Sequence, residues 1–84
     1  MKAVSKNYLD NAAKRTARLC LKRYHVSRSW ITILNYLNKC VVEEEIDSGT
    51  VYIDVELYKQ IINDAINYAA LNAKNENENA ASQR

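Results

Sequence analysis

The residues that build catalytic, metal and disulfide sites are scarce in this sequence. Its 84 residues include one glycine, one histidine, two cysteines and no proline. A single glycine, Gly49, cannot form the glycine-rich loop that cradles phosphates. His25 has no partners at metal-ligand spacing, and no nucleophile is accompanied by a base. We therefore expect neither an enzyme nor a bound cofactor or metal.

The two cysteines are too few for a disulfide framework. Free cysteine is among the most buried residue types and behaves as a small apolar side chain. We expect Cys20 and Cys40 to lie in the core.

Long apolar runs are also missing. No run approaches the roughly 18 residues of a membrane helix, and the N-terminal MKAVSKNYLDN lacks the apolar segment of a signal peptide. We expect a cytoplasmic protein without membrane contact. The final KNENENAASQR is polar and partly repetitive, which predicts one domain over residues 1–73 and a disordered tail over 74–84. Because so short a domain has a marginal core, we also expect a homodimer.

Acidic residues are scarce in the first half of the chain. Residues 1–40 contain nine lysines and arginines against one acid, a net charge of +8, whereas residues 41–84 contain three against nine, a net charge of −6. This asymmetry favours a polyanion as partner of the basic half. The alternative is attraction between the oppositely charged halves of two copies, and the two can coexist.

Helix-forming residues dominate the N-terminal part. Residues from about 4 to 24 contain neither glycine nor proline and are rich in alanine, lysine, arginine and leucine. We expect two helices here, with Asn11 or Thr16 as the cap of the second; one long helix is the alternative.

Two further helices follow. Ser27 predicts the N-cap of a helix that ends near Lys39 or Cys40, and Asp54 predicts the cap of a last helix that ends at about Ala73. Between these helices, alternating residues on both sides of Asp47-Ser48-Gly49 predict a β-hairpin with a three-residue loop. The alternative is a helix that continues to residue 46 and stops at the glycine.

Residues 17–37 resemble the helix-turn-helix of DNA-binding regulators. His25-Val26-Ser27 take the place of that motif's glycine-valine-serine turn, and Leu21 takes the place of its usual alanine. The glycine of the turn often needs a positive φ, which histidine tolerates better than most residues. The apolar places of the motif are filled by Cys20, Tyr24, Val26, Ile31 and Leu34.

The resemblance implies a mainly α fold of three or four helices with a short β-hairpin as its wing, a winged helix-turn-helix dimer that regulates transcription. The second helix of the motif would enter the major groove of double-stranded DNA. Its base-reading residues would be Arg28, Ser29 and Thr32. The DNA backbone would be held by Lys14, Arg15, Arg18, Lys22, Arg23 and Ser27. Glu43, Glu44 and Glu45 suit phosphate poorly, so the hairpin would point away from DNA or serve the dimer.

The last helix carries more apolar residues than one small core needs, which predicts that it holds the dimer together. The face that we expect to contact the second copy consists of Tyr58, Ile62, Ile66 and Ala69. The alternative function is a homodimeric protein-binding adaptor or inhibitor that binds no nucleic acid. It is supported by the acidic second half and by Trp30, Ile33 and Tyr36, which make the second helix of the motif apolar; a buried structural helix is a further alternative.

Overall fold

Three helices and a small antiparallel sheet make up the described part of the chain. The computed structural model describes the backbone of residues 1–82 and the side chains of residues 1–73. The predicted class, mainly helical with a β-hairpin, is confirmed. In chain order the elements are β1 (Lys2–Ser5), α1 (Lys6–Tyr24), α2 (Trp30–Leu37), a 3₁₀ turn (Asn38–Cys40), β2 (Val41–Glu45), β3 (Thr50–Ile53) and α3 (Val55–Ser82).

The N-terminal segment forms one helix, so the expectation of two helices was wrong. Nothing in α1 breaks the helix, and Thr16 does not act as a cap. Its hydroxyl instead donates a hydrogen bond to the carbonyl of Ala12, one turn earlier, at 2.8 Å. That bond satisfies the hydroxyl without interrupting the backbone ladder.

The short first strand, β1, was not predicted from the sequence. β1 pairs antiparallel with β3, in a register that sets Lys2 opposite Ile53 and Ser5 opposite Thr50. Four residues with only Val4 buried are too few to produce a readable alternation.

The predicted hairpin is confirmed, and the alternative of a continuing helix is wrong. β3 is the central strand, because it pairs with β1 on one side and β2 on the other. The connecting turn spans residues 46–49, one residue longer than expected. Gly49 closes it with a φ of 67° and donates its N–H to the carbonyl of Glu45 at 3.0 Å. A positive φ of this kind is the conformation that glycine adopts most readily.

Helix α2 starts later than predicted. Ser29, not Ser27, takes the N-cap position, and the helix ends at Leu37 with a 3₁₀ turn to Cys40, close to the predicted end. In the resulting register Ile33 and Leu37 face the core. Ile31 lies about 200° around the helix from Ile33 and is 55% exposed, so it does not fill a buried apolar place of the motif as the resemblance implied.

Helix α3 begins as predicted, since the Leu57 N–H donates to Oδ1 of Asp54 at 3.2 Å. Its backbone continues to Ser82, beyond the predicted end at about Ala73. Much of the segment predicted as a tail is therefore helical, in keeping with the absence of glycine and proline there. Residues 83–84 lie outside the described residues. None of the described helices combines the length and apolarity needed to cross a bilayer.

The core lies where α1, α2 and α3 meet the inner face of the sheet. Both cysteines are buried and unbonded to each other, as predicted. Burial raises the pKa of each thiol above its usual value, because an apolar environment disfavours the thiolate. The buried cluster consists of Val4, Leu9, Ala12, Ala13, Ile33, Leu37, Cys40, Val51, Ile53 and Ala65.

Candidate nucleic-acid interface

The turn between α1 and α2 has the backbone conformation expected from the sequence. His25 follows α1 with φ 57° and ψ 28°, in the left-handed region. Its N–H donates to the carbonyl of Leu21 at 3.0 Å, and the Val26 N–H donates to the carbonyl of Cys20 at 3.4 Å. These bonds satisfy carbonyls that the end of a helix otherwise leaves open. The turn is therefore fixed by its backbone, and it sets the direction in which α2 leaves α1.

Beside this turn, α1 presents a basic stripe, defined here as Lys14, Arg18 and Lys22. Residues four apart lie above one another on a helix, and Arg18 and Lys22 are exposed. Lys14 is half-buried, with its Nζ 4.7 Å from the centre of the Trp30 ring at the start of α2. Lys14 and Arg18 also line, together with Ser27 and Arg28, a shallow depression between the two helices. Four of the predicted DNA-binding residues are thus brought together at one surface.

The charge of the basic stripe is not neutralised within the described side chains. Across residues 1–73, the one ion pair present joins Lys6 Nζ to Glu44 Oε1 at 3.4 Å. That pair lies between the start of α1 and the hairpin, away from the helix turn. An array of like charges without local partners raises the potential over the surface and attracts polyanions.

Two predicted backbone-binding residues, Arg15 and Arg23, do not line the depression between α1 and α2. Arg15 sits beside the hydroxyl of Tyr58, on the side of α1 that faces α3. Burial and the neighbouring Tyr8 hydroxyl raise the pKa of Tyr58 to about 12, and the Arg15 charge opposes that rise. Arg23, eight residues further along α1, is exposed in the last turn of the helix.

Arg28 does not project from the surface as a base reader would. Its guanidinium carbon lies 4.5 Å from the centre of the Tyr68 ring of α3. The side chain is half-buried, and its Nη1 is buried without a hydrogen-bond partner among the described residues. The other predicted readers, Ser29 and Thr32, are exposed.

The exposed face of α2 contains a polar residue that the sequence analysis missed. Asn35 lies three positions after Thr32 and four after Ile31, so the three side chains share one face, and all are exposed. The i, i+3, i+4 spacing could have revealed it once the register of α2 was known. An asparagine amide can make two hydrogen bonds to adenine in the major groove. Because none of the residues of α2 is charged, this face can approach base edges only through polar and apolar contacts.

The acidic hairpin is held by its own hydrogen bonds. The Tyr52 hydroxyl donates to Oε1 of Glu45 at 2.8 Å, and the Ser48 hydroxyl donates to Oε2 of the same carboxylate at 3.0 Å. The bond to Glu45 raises the pKa of Tyr52. With Glu43 and Glu44 exposed beside it, this strand presents negative charge to solvent.

The residues predicted to hold a dimer lie mostly against their own chain. Ala69 is fully buried, so it cannot contact a second copy in this conformation. Tyr58 pairs with the ring of Tyr8 at 5.9 Å between centroids, and Ile62 is packed against the core. Ile66 is half-buried. The large apolar residues that α3 exposes are instead Tyr68 and Leu71, at 55% and 56%.

Comparison with known proteins gives no further assignment, because no protein-family model, curated protein or solved structure matches the chain significantly. Within the described residues, no three histidine, cysteine, aspartate or glutamate side chains are grouped so as to hold a metal ion.

Proposed function

We propose that the protein binds double-stranded DNA and regulates transcription, with α2 in the major groove and the basic stripe on the phosphate backbone. The observation that carries this proposal is the basic stripe itself. Lys14, Arg18 and Lys22 have no carboxylate partners among the described residues, and they flank an exposed helix that carries no charge. A charged rim that grips phosphates beside an uncharged reading face is the division of roles that DNA recognition requires.

The dimensions of α2 suit this role. Eight residues give a helix of about 12 Å, and the major groove of B-DNA, at about 12 Å, admits a helix. Thr32 and Asn35 can hydrogen-bond to base edges, and the exposed Ile31 can touch a thymine methyl group. In this arrangement Arg28 holds the turn against α3 and is not a base reader.

The sheet supports a winged form of the helix-turn-helix. Strand β1 precedes the two helices, the hairpin follows them, and the sheet order β1-β3-β2 joins the two ends of the motif. The three glutamates of β2 favour a wing that is turned away from the phosphates, since like charges repel.

We propose further that the regulator is a homodimer held by the surface of α3 around Tyr68 and Leu71. Leu71 is the most exposed large apolar side chain of that helix among residues 55–73. Two copies related by a two-fold axis would present two α2 helices to half-sites about 34 Å apart.

The proposal is tested by separating sequence preference from overall affinity. Asn35→Ala should lower the preference for the selected site over random duplex by about 1–3 kcal/mol, whereas Lys22→Ala should weaken binding to all duplexes about equally. The measurement is the affinity of each variant for a duplex selected from a random pool and for a scrambled one. If both variants reduce the two affinities by the same ratio, α2 is not the reading helix.

A second function is favoured by one specific observation. Ile31 and Tyr36 of α2 are 55% and 50% exposed, and large exposed apolar residues on a helix also suit the groove of a protein partner. In that case Ile31→Asp would abolish the interaction, the basic stripe would be dispensable, and the chain would bind no duplex at low salt.

A further inference from the structure

A groove lies between α2 and α3. One wall comes from the turn and from α2, with Val26, Arg28 and Ile33, and the other comes from α3, with Ile61, Asp64 and Tyr68. Its volume is about 650 Å³, within the range of about 300–1,000 Å³ that is usual for small-molecule sites. We call it the α2–α3 groove.

Arg28, one of the residues that line the groove, has a donor without an acceptor. Arg28 Nη1 is buried and has no hydrogen-bond partner among the described residues. The guanidinium carbon lies 4.5 Å from the centre of the Tyr68 ring, which attracts the cation but does not replace a carboxylate as acceptor of its N–H groups. A buried donor that lacks an acceptor is destabilising, more so when it is charged. The guanidinium is thus prepared for a planar anion that can accept two parallel hydrogen bonds.

The remaining walls define the rest of the ligand. Val26, Ile33, Ile61 and Ala65 offer an apolar lining, and the Tyr68 ring beside Arg28 offers a flat one. Such walls suit an aromatic body. Asp64 on the opposite wall carries a negative charge, which disfavours a phosphate or another multiply charged anion more strongly than a single carboxylate.

We propose that the α2–α3 groove binds a small aromatic carboxylate, whose carboxylate pairs with the Arg28 guanidinium and whose ring packs beside Tyr68. The basic stripe does not line this groove, whereas Ser27, Ser29 and Thr32 of the predicted DNA-binding residues do. This site gives the chain a small-molecule ligand in addition to DNA, at a residue that holds the turn between α1 and α2.

Two matched probes test the proposal on the full chain, without DNA in the sample. The first is 2-naphthoate, and the second is 2-naphthalenemethanol, which has the same ring system and no charge. In an amide ¹H–¹⁵N titration, 2-naphthoate should give saturable shifts at residues 26–33 and 61–68 and bind at least about tenfold more tightly than the alcohol, as expected for a charge-assisted pair. Equal binding of the two probes, or shifts confined to other residues, would overturn the proposal.

Three variants refine the test. Arg28→Gln should weaken 2-naphthoate binding about tenfold or more and leave the alcohol unaffected. Asp64→Asn should strengthen 2-naphthoate binding several-fold, because it removes a like charge without changing the shape of the wall. Arg18→Gln, which removes a nearby positive charge outside the groove, is the control and should change the affinity less than twofold.

Arg28→Gln and Asp64→Asn are expected to change the affinity for 2-naphthoate in opposite directions, so the proposal can be contradicted even where one variant folds poorly. If Arg28→Gln disrupts the turn, its amide signals lose their dispersion, and the test then depends on Asp64→Asn. The affinity of a purely apolar site for 2-naphthoate would not change with the Asp64→Asn substitution. Unchanged or weaker binding by Asp64→Asn contradicts an anionic ligand. Because no DNA is present, failure here would leave the DNA proposal untouched, and failure of DNA binding would leave this proposal untouched.

Discussion

His25 has the backbone conformation that glycine adopts most readily, and its place in the chain could be anticipated from the sequence. With a φ of 57° it ends α1 and starts the turn. Arg28, by contrast, was not predictable, because its position depends on Tyr68, forty residues later in the chain. The backbone conformation of a residue in a turn depends on its neighbours in sequence and can be predicted from them. The contacts of a long side chain depend on residues that only the fold brings close.

At the scale of the residue, we predict that His25→Gly stabilises the protein by about 1 kcal/mol. The left-handed conformation costs a residue with a Cβ about 1–2 kcal/mol, and glycine avoids most of that cost. Asn38→Gly is the matched control, because Asn38 has a right-handed conformation, with φ −60°. There glycine should destabilise by about 0.5–1 kcal/mol. Urea unfolding of both variants provides the measurement. A destabilised His25→Gly variant would show that its side chain makes contacts that outweigh the backbone strain.

Elements were predictable where a local signal marks their ends. Asp54 marks the start of α3, and Gly49 marks the hairpin. Strand β1 was missed because its pairing partner lies some fifty residues away in sequence, and a strand of four residues has little pattern of its own. The register of α2 was misjudged because two serines, Ser27 and Ser29, both suit an N-cap, and a shift of two residues turns a helix by about 200°.

At the scale of the element, the orientation of α2 predicts how two isoleucine substitutions change the stability. Ile33→Ala should destabilise the protein by about 2–5 kcal/mol, because Ile33 is 1% exposed and the change leaves a cavity. Ile31→Ala removes the same atoms from an exposed position and should change the stability by no more than about 0.5 kcal/mol. Thermal or urea unfolding of the pair checks this. Equal losses of stability from both substitutions would mean that α2 does not turn Ile33 toward the core and Ile31 toward solvent.

At the scale of the whole molecule, the charge asymmetry seen in the sequence reappears as two surfaces. The basic stripe lies on α1, the acids concentrate in β2, and the ion pair described between them is Lys6 with Glu44. The sign of each half could be predicted from the sequence, but the contact of Arg15 with Tyr58 could not. That contact depends on how α3 packs along α1.

The predicted dimer is a property of the whole molecule. We predict that the wild-type chain is a dimer at tens of micromolar and that Leu71→Asp shifts it to monomer without unfolding it, because Leu71 is exposed in the single chain. Ile46→Asp, at an 89% exposed position of the hairpin turn, is the control and should remain dimeric. Sedimentation equilibrium measures the masses. A monomeric wild type, or a Leu71→Asp variant that stays dimeric, would exclude this surface.

The most direct test of DNA binding through the basic stripe is a salt titration of affinity for a labelled duplex of about two helical turns. Wild-type affinity should fall steeply between about 50 and 200 mM salt, and the log–log slope should become shallower by about 0.9 for each phosphate contact removed. Lys14→Gln with Arg18→Gln should therefore reduce the slope by about 1.8. Lys59→Gln, an exposed charge on α3, should leave it unchanged. No binding at the lowest salt, or equal slopes in all three proteins, would contradict the account.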